Sequence, residues 1–347
     1  MSSKVTIGIP QYNEEKFIEE AIRSAAPQCD TLWISDNAST DGSAAICEKL
    51  SREYSNVHFV RQPYNLGSVA NFKYLLDKAD TPFFMWLGSH DALPDCYVRQ
   101  LTQLLENCSE AVLAYGVALH VDVDGRPTGS YGYYDYHESL ADKEPTTRIL
   151  GLLRYLHDFA LVYGVFRTDA LRKAWDDAGI GAYIATDFIL LTHCAKAGRF
   201  LYTPETHLIC RDVHPGDTYE KSLKRMHARD PSSVKFPRRE MLCRQRALIA
   251  SVSKGTGMSG FLFRLKARAF LVMRYGPIDD ALMTRNLERL FFMFYSIFLF
   301  LQPTSFSNVL KTPLPDLPLK VFKVVRHGIP YRVRKLKQLL KKCIEGN

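Results

Sequence analysis

Val5-Thr6-Ile7-Gly8-Ile9-Pro10 runs into Gln11-Tyr12-Asn13-Glu14-Glu15, and Phe17, Ile18, Ala21, Ile22 and Ala25 then fall at helical spacing. A short continuous apolar run suits a parallel strand covered on both faces. The same strand-then-helix unit recurs down the chain. Thr31–Ser35 precedes a helix opened by Ser39-Thr40-Asp41-Gly42 and carrying Ala45, Ile46 and Leu50. Val57–Arg61 precedes a helix from Gly67 to about Ala79. Pro82–Leu87 precedes a helix whose first turn begins near Pro94 and which runs to about Asn107, and Ala111–Leu119 is a fifth strand. Strands alternating with helices of this length predict an α/β fold with a mostly parallel sheet flanked by helices. Ligands of such sheets gather at the carboxyl ends of the strands. The loops Pro10–Glu15, Asp36–Gly42, Gln62–Gly67 and Gly88–Leu93 are all polar or contain Gly or Pro, and chemistry is expected there.

Downstream the pattern loosens. Asp122–Glu144 is rich in Tyr, Gly and Asp and reads as loop or hairpin. A helix near Thr146–His157, a short strand Tyr163–Arg167, a helix from about Asp187 and a strand Phe200–Thr203 follow. The chain has 347 residues, 46% hydrophobic and 24% charged, which fits globular domains and excludes wholesale disorder. Its eight cysteines are scattered without Cys-x-x-Cys spacing, which argues against zinc ribbons and a disulfide framework and fits a reducing compartment. No Gly-x4-Gly-Lys phosphate loop, Gly-x-Ser-x-Gly elbow or His-Glu-x-x-His site is present.

Taken in order, several pieces resemble one family. They are Pro10-Gln11-Tyr12-Asn13-Glu14-Glu15, Ser35-Asp36-Asn37-Ala38-Ser39-Thr40-Asp41-Gly42, Asn65-Leu66-Gly67 with Asn71, and Trp86-Leu87-Gly88-Ser89-His90-Asp91-Ala92-Leu93. Tyr163-Gly164-Val165-Phe166-Arg167, Ala185-Thr186-Asp187 and Arg211-Asp212-Val213-His214-Pro215-Gly216 continue the series. Together they resemble glycosyltransferase family 2 over about residues 4–217. The resemblance implies the Rossmann-like GT-A fold, a nucleotide-sugar donor and transfer with inversion at the anomeric centre.

Donor-site roles follow from that resemblance. Asp36 can accept the imide N–H of uracil or thymine, or only shape an Asx turn. Pro10 and Tyr12 are placed to wall the base, with Asn13 beside them. Glu14 can meet base or ribose, or serve as an ordinary acid in the first helical turn. Asn65, Gly67 and Asn71 resemble the segment lining the nucleotide cleft. The family's Asp-x-Asp metal motif is altered here to Gly88-Ser89-His90-Asp91. Asp91 remains as a ligand for Mn2+ or Mg2+. His90 can join it through nitrogen, contact the ribose or cap the strand end. His214 can reach the metal or diphosphate, or be a surface histidine, and Arg211 can contact phosphate. Asp187 corresponds to the catalytic base that takes the acceptor hydroxyl's proton, though the same position also suits a helix cap.

The domains expected are a glycosyltransferase domain over 1–230, with a nucleotide half to about 120 and an acceptor half to 230, and a helical membrane-associating region over 231–347. The acceptor pocket is expected around Tyr131–Tyr136 and Ala182–Thr186. The net charge of +8 sits entirely after residue 319, where nine basic residues meet Glu345 alone. Phe261–Tyr275 can form a basic amphipathic helix. Leu290–Leu301 is apolar but shorter than the roughly 20 residues a bilayer span needs. Val333, Leu336, Leu339 and Leu340 share one side of a basic tail. These features predict a cytoplasmic protein held peripherally on the inner face of the membrane. They suggest a lipid-linked saccharide acceptor in surface-polysaccharide assembly and, with no recognition module present, no nucleic-acid partner. A degenerate nucleotide-binding scaffold and a transferase acting on protein or soluble glycan are the alternatives.

Overall fold

The computed structural model describes residues 4–131, 137–156, 160–181, 186–213 and 237–275. Met1–Ile278 forms one compact unit, and a second unit, Asp279–Asn347, lies outside the described residues, as do the apolar run 290–301 and the basic tail. The strands are β1 (Val5–Gln11), β2 (Thr31–Asp36), β3 (Val57–Arg61), β4 (Phe83–Trp86), β5 (Ala111–Val121), β6 (Pro127–Tyr131), β7 (Val165–Arg167) and β8 (Arg199–Arg211). The helices are α1 (Ile18–Ala25), α2 (Ser43–Glu53), α3 (Ser68–Lys78), α4 (Tyr97–Glu106), α5 (His137–Leu140), α6 (Pro145–Tyr155), α7 (Thr168–Ala178), α8 (Thr186–Ala197), α9 (Pro237–Val252) and α10 (Gly257–Tyr275).

One eight-stranded sheet runs β3-β2-β1-β4-β7-β5-β6, with β8 paired to the other edge of β5. The pairs among β3, β2, β1 and β4 are parallel, as is β5 with β8, whereas β7 is antiparallel to both its neighbours and β6 to β5. Both faces are covered, which is why the strands read as unbroken apolar runs. In β4 the side chains alternate between two cores. Phe84 and Trp86 join the one containing α3, α6, α7 and α8, and Phe83 and Met85 join the one containing α1, α2 and α4.

Three boundaries differ from the sequence reading, each for a local backbone reason. Helix α2 starts at Ser43 rather than Ser39, because Ala38 has φ 61 and residues 39–42 form the turn. Helix α4 starts at Tyr97 rather than Pro94, because Cys96 is left-handed with φ 68. Strand β8 is thirteen residues long, well beyond the expected Phe200–Thr203. Its exposed Pro204 and Glu205 interrupt the pattern where the register with β5 shifts, and it resumes to carry Arg211 to the sheet's carboxyl end.

Helices α9 and α10 pack on the same body. Met241, Leu242 and Ile249 of α9, and Phe263, Ala267 and Leu271 of α10, belong to the core that includes α6 and α8. The compact unit thus runs past residue 230. Among the described residues no helix is long and apolar enough to cross a membrane.

Candidate active site

The loops after β1, β2, β3 and β4 meet at the carboxyl end of the sheet and are fastened to one another. Asn13, at φ 55, turns the chain out of β1, a conformation asparagine tolerates. Its N–H donates to Ser39 Oγ at 2.9 Å, and its Oδ1 accepts the Thr40 N–H at 2.8 Å. Glu14 N–H donates to Ser43 Oγ at 3.0 Å, and Gly42 N–H donates to Glu15 Oε2 at 2.7 Å. Ser39-Thr40-Asp41-Gly42-Ser43 is therefore a staple for the β1 loop as well as the entry to α2.

Asn37 and Asn65 tie the next two loops. Asn37 Nδ2 donates to Asn65 Oδ1 at 2.9 Å, and Leu66 N–H donates to Asn37 Oδ1 at 2.7 Å. Gly67 then takes φ 83, which a side chain would resist, and opens α3. Asn71 is turned inward: Ser35 Oγ donates to its Oδ1 at 2.5 Å, and its Nδ2 donates to the Ser35 carbonyl at 3.0 Å.

Asp36 is fully buried. Its Oδ2 accepts the Ser39 N–H at 3.1 Å and faces Arg61 Nε at 3.5 Å, while Oδ1 has no partner among the described residues. Gln11 pairs in register with Asp36, is equally buried, and has neither amide atom partnered among the described residues. The sequence signal for Gln11 is a lone amide closing an apolar strand, between Pro10 and Tyr12. Asn37, next to Asp36, is a second site residue that the sequence does not single out. Pro10, Tyr12, Glu14, Asn65 and His90 are half-buried and remain partly accessible at this rim.

The β4 loop is held from two sides. Ala92 and Ile209 exchange both backbone hydrogen bonds at 3.1 Å, which clamps the loop to β8. Asp91 is 4% exposed, and its Oδ1 accepts the Arg211 N–H at 2.9 Å. Burial pushes the Asp91 carboxyl up, against the pull of His90, Arg211 and His120. Its Oδ2 lies over Gly88, where an added Cβ would overlap it. The guanidinium of Arg211 donates from Nη1 to the His90 carbonyl at 2.7 Å, pairs with Glu20 at 2.9 Å and lies 4.9 Å over the Phe17 ring. These contacts hold the β4 loop against α1 and β8. His90 Nδ1 lies 3.2 Å from Glu14 Oε1.

A divalent cation finds only part of a site here. Among the described residues no three His, Cys, Asp or Glu side chains gather to hold one, and His214 lies outside those residues. Asp91 Oδ1 is engaged by the Arg211 N–H of β8 and its Oδ2 lies over Gly88, with His90 half-buried next to it. Asp187 sits in the first turn of α8, half-buried, with Oδ1 accepting the Phe188 N–H at 2.8 Å. The expected acceptor segments 131–136 and 182–186 fall largely outside the described residues.

A mixed sheet in this order, flanked by helices and with its polar loops gathered at one end, is a GT-A fold. Residues 6–174 match the model of the family Glycosyl transferase family 2, and that segment belongs to this family. Curated relatives are distant. The teichoic acid poly(glycerol phosphate) polymerase of Staphylococcus epidermidis is 30% identical over 26% of this chain and 13% of its own length. The putative teichuronic acid biosynthesis glycosyltransferase TuaG of Bacillus subtilis is 26% identical over 44% of this chain and 62% of its own. The abequosyltransferase RfbV of Salmonella typhimurium is 27% identical over 63% of this chain and 69% of its own. The first two are thus matched over less than two thirds of their length. Among solved structures, Staphylococcus aureus TarS 1-349 in complex with UDP-GlcNAc aligns with TM-score 0.49 at 14% identity, over 80% of this chain and 82% of that one.

Proposed function

We propose that this protein is an inverting glycosyltransferase that moves one sugar from a UDP- or dTDP-sugar to a hydroxyl of a saccharide acceptor, lipid-linked, in the assembly of a surface polysaccharide. The observation that carries the reading is the family 2 segment with its four strand-end loops fastened into one rim. A rim braced this way can receive a nucleotide without ordering its own loops at the moment of binding. The relatives' names, teichoic acid polymerase, teichuronic acid glycosyltransferase and abequosyltransferase, support a polysaccharide acceptor.

In this reading Pro10 and Tyr12 flank the nucleobase. Among the described residues Asp36 Oδ1 has no donor, and an imide N–H is one. Because that carboxylate is enclosed, the base has to displace its covering to reach it. His90, oriented by Glu14, faces the diphosphate. Asp187 takes the proton of the acceptor hydroxyl as its oxygen bonds to the anomeric carbon. The bond from that carbon to the diphosphate oxygen breaks on the opposite face, and the nucleoside diphosphate leaves with the electron pair. Family 2 enzymes commonly use a divalent cation. The described residues fit one only in part, so no step here is routed through it.

The test is release of nucleoside diphosphate from a panel of UDP-, dTDP-, GDP- and CDP-sugars, with and without manganese and with chelator. Turnover confined to the UDP or dTDP donors supports the reading. Turnover of GDP-sugars alone, or of none, contradicts it.

A further inference from the structure

Helix α10 has two different faces. Phe263, Ala267 and Leu271 point into the core beside α6 and α9. On the opposite side Met258, Phe261 and Leu262 are 72%, 50% and 47% exposed, and Leu265 is half-buried next to them. These four stand at i, i+3, i+4 and i+7, so they form one apolar stripe along the first turns of the helix. A soluble surface seldom leaves so many large apolar side chains side by side.

The charge around the stripe has one sign. Lys254, Lys266 and Arg268 are exposed, and the helical spacing sets Lys266 and Arg268 on opposite flanks of it. From Met241 to Tyr275 the chain contains no Asp or Glu, while Arg244, Arg246, Lys254, Arg264, Lys266, Arg268 and Arg274 are all basic. Arg264 is turned back, donating to Ser253 Oγ at 3.0 Å, and helps fix the corner between α9 and α10. That corner projects: residues 254–259 are all exposed, and Gly255 and Gly257, at φ 81 and 56, have open space where a Cβ would stand.

We propose that this corner and the outer stripe of α10 form the surface that seats the protein on an anionic lipid bilayer, with Met258, Phe261 and Leu262 entering the interface and Lys254, Lys266 and Arg268 meeting lipid phosphates. The inference deepens the reading of a lipid-linked acceptor and rests on it only for the purpose of the contact. An apolar stripe edged by cations fits a membrane interface better than a polynucleotide, whose phosphates would leave the stripe in water. The core-facing side of α10 anchors the contact rigidly to the sheet that carries the proposed active site.

The test uses the full chain in co-sedimentation with phosphatidylcholine vesicles, with and without phosphatidylglycerol. Wild type sediments with the anionic vesicles and not with neutral ones. Phe261→Glu/Leu262→Glu and, separately, Lys266→Glu/Arg268→Glu each weaken that binding at least about tenfold. All of these side chains are at the surface, so circular dichroism and donor hydrolysis in solution stay at wild-type levels. Undiminished binding by the Phe261→Glu/Leu262→Glu protein, or no vesicle binding by wild type, overturns the proposal. Loss of donor hydrolysis in wild type would instead speak against the transferase reading and leave the membrane result standing.

Discussion

His90 Nδ1 and Glu14 Oε1 lie 3.2 Å apart, and this contact bridges the loop after β4 to the loop after β1. A carboxylate oxygen accepts in this contact, so Nδ1 is its donor. We expect Glu14→Ala to raise the KM for the sugar nucleotide about tenfold or more with a smaller change in kcat, because the ring loses its fixed tautomer and orientation. Glu14→Gln, which keeps an acceptor, should recover part of the loss. Steady-state kinetics on the two variants checks this.

The Gly88 backbone leaves no room for a side chain beneath Asp91. Gly88→Ala should therefore displace the Asp91 carboxylate from the Arg211 N–H and cost about 1–3 kcal/mol, the usual range for overpacking. Urea denaturation of the variant against wild type measures it.

Arg211 serves the His90 carbonyl, Glu20 and the Phe17 ring at once. Arg211→Met should lose about 1–3 kcal/mol by leaving the His90 carbonyl without its donor. Arg211→Lys should not restore it, because a single ammonium lacks the planar fork these partners use. If Arg211 instead gripped phosphate, nucleotide affinity would fall with stability unchanged.

His193 on α8 is held down to about 4, first by burial and then by Lys196 and Arg244, against the pull of Asp177. The unfolded chain binds the proton near the ordinary value of 6.5, so it takes up more protons than the folded chain between those values. The contribution of this histidine is complete above about 6.5 and is lost as the pH falls from there toward about 4. Thermal melts over that range should show Tm declining toward acid, and His193→Gln should flatten the slope. An unchanged slope would assign it to other groups.

Much of the sheet was legible because its strands are short apolar runs between helices, Val5–Ile9 and Phe83–Leu87 above all. Helix starts were displaced where single residues take positive φ, as Ala38 and Cys96 do, since composition does not announce that. The far end of β8 was hidden because Pro204 and Glu205 interrupt it. In the candidate site the sequence locates the rim but not which way each side chain turns. Asn13, Asn65, Asn71 and Arg211 bind neighbouring loops in the structure, through partners 27 to 121 residues away such as Asn37 and His90. Spacing along a chain cannot reveal such partners. The basic amphipathic character of Phe261–Tyr275 was readable, whereas which face the core would take was settled only by packing on α6 and α9.

Whether Asp187 is the base of the glycosyl transfer is decided by comparing wild type with Asp187→Asn in a donor-turnover assay. Asparagine keeps an oxygen for the Phe188 N–H, so the variant should fold and bind nucleotide as wild type does. If Asp187 is the base, kcat falls by about 10²- to 10⁴-fold with the nucleotide Kd unchanged. Turnover by Asp187→Asn within a factor of about two of wild type would contradict it.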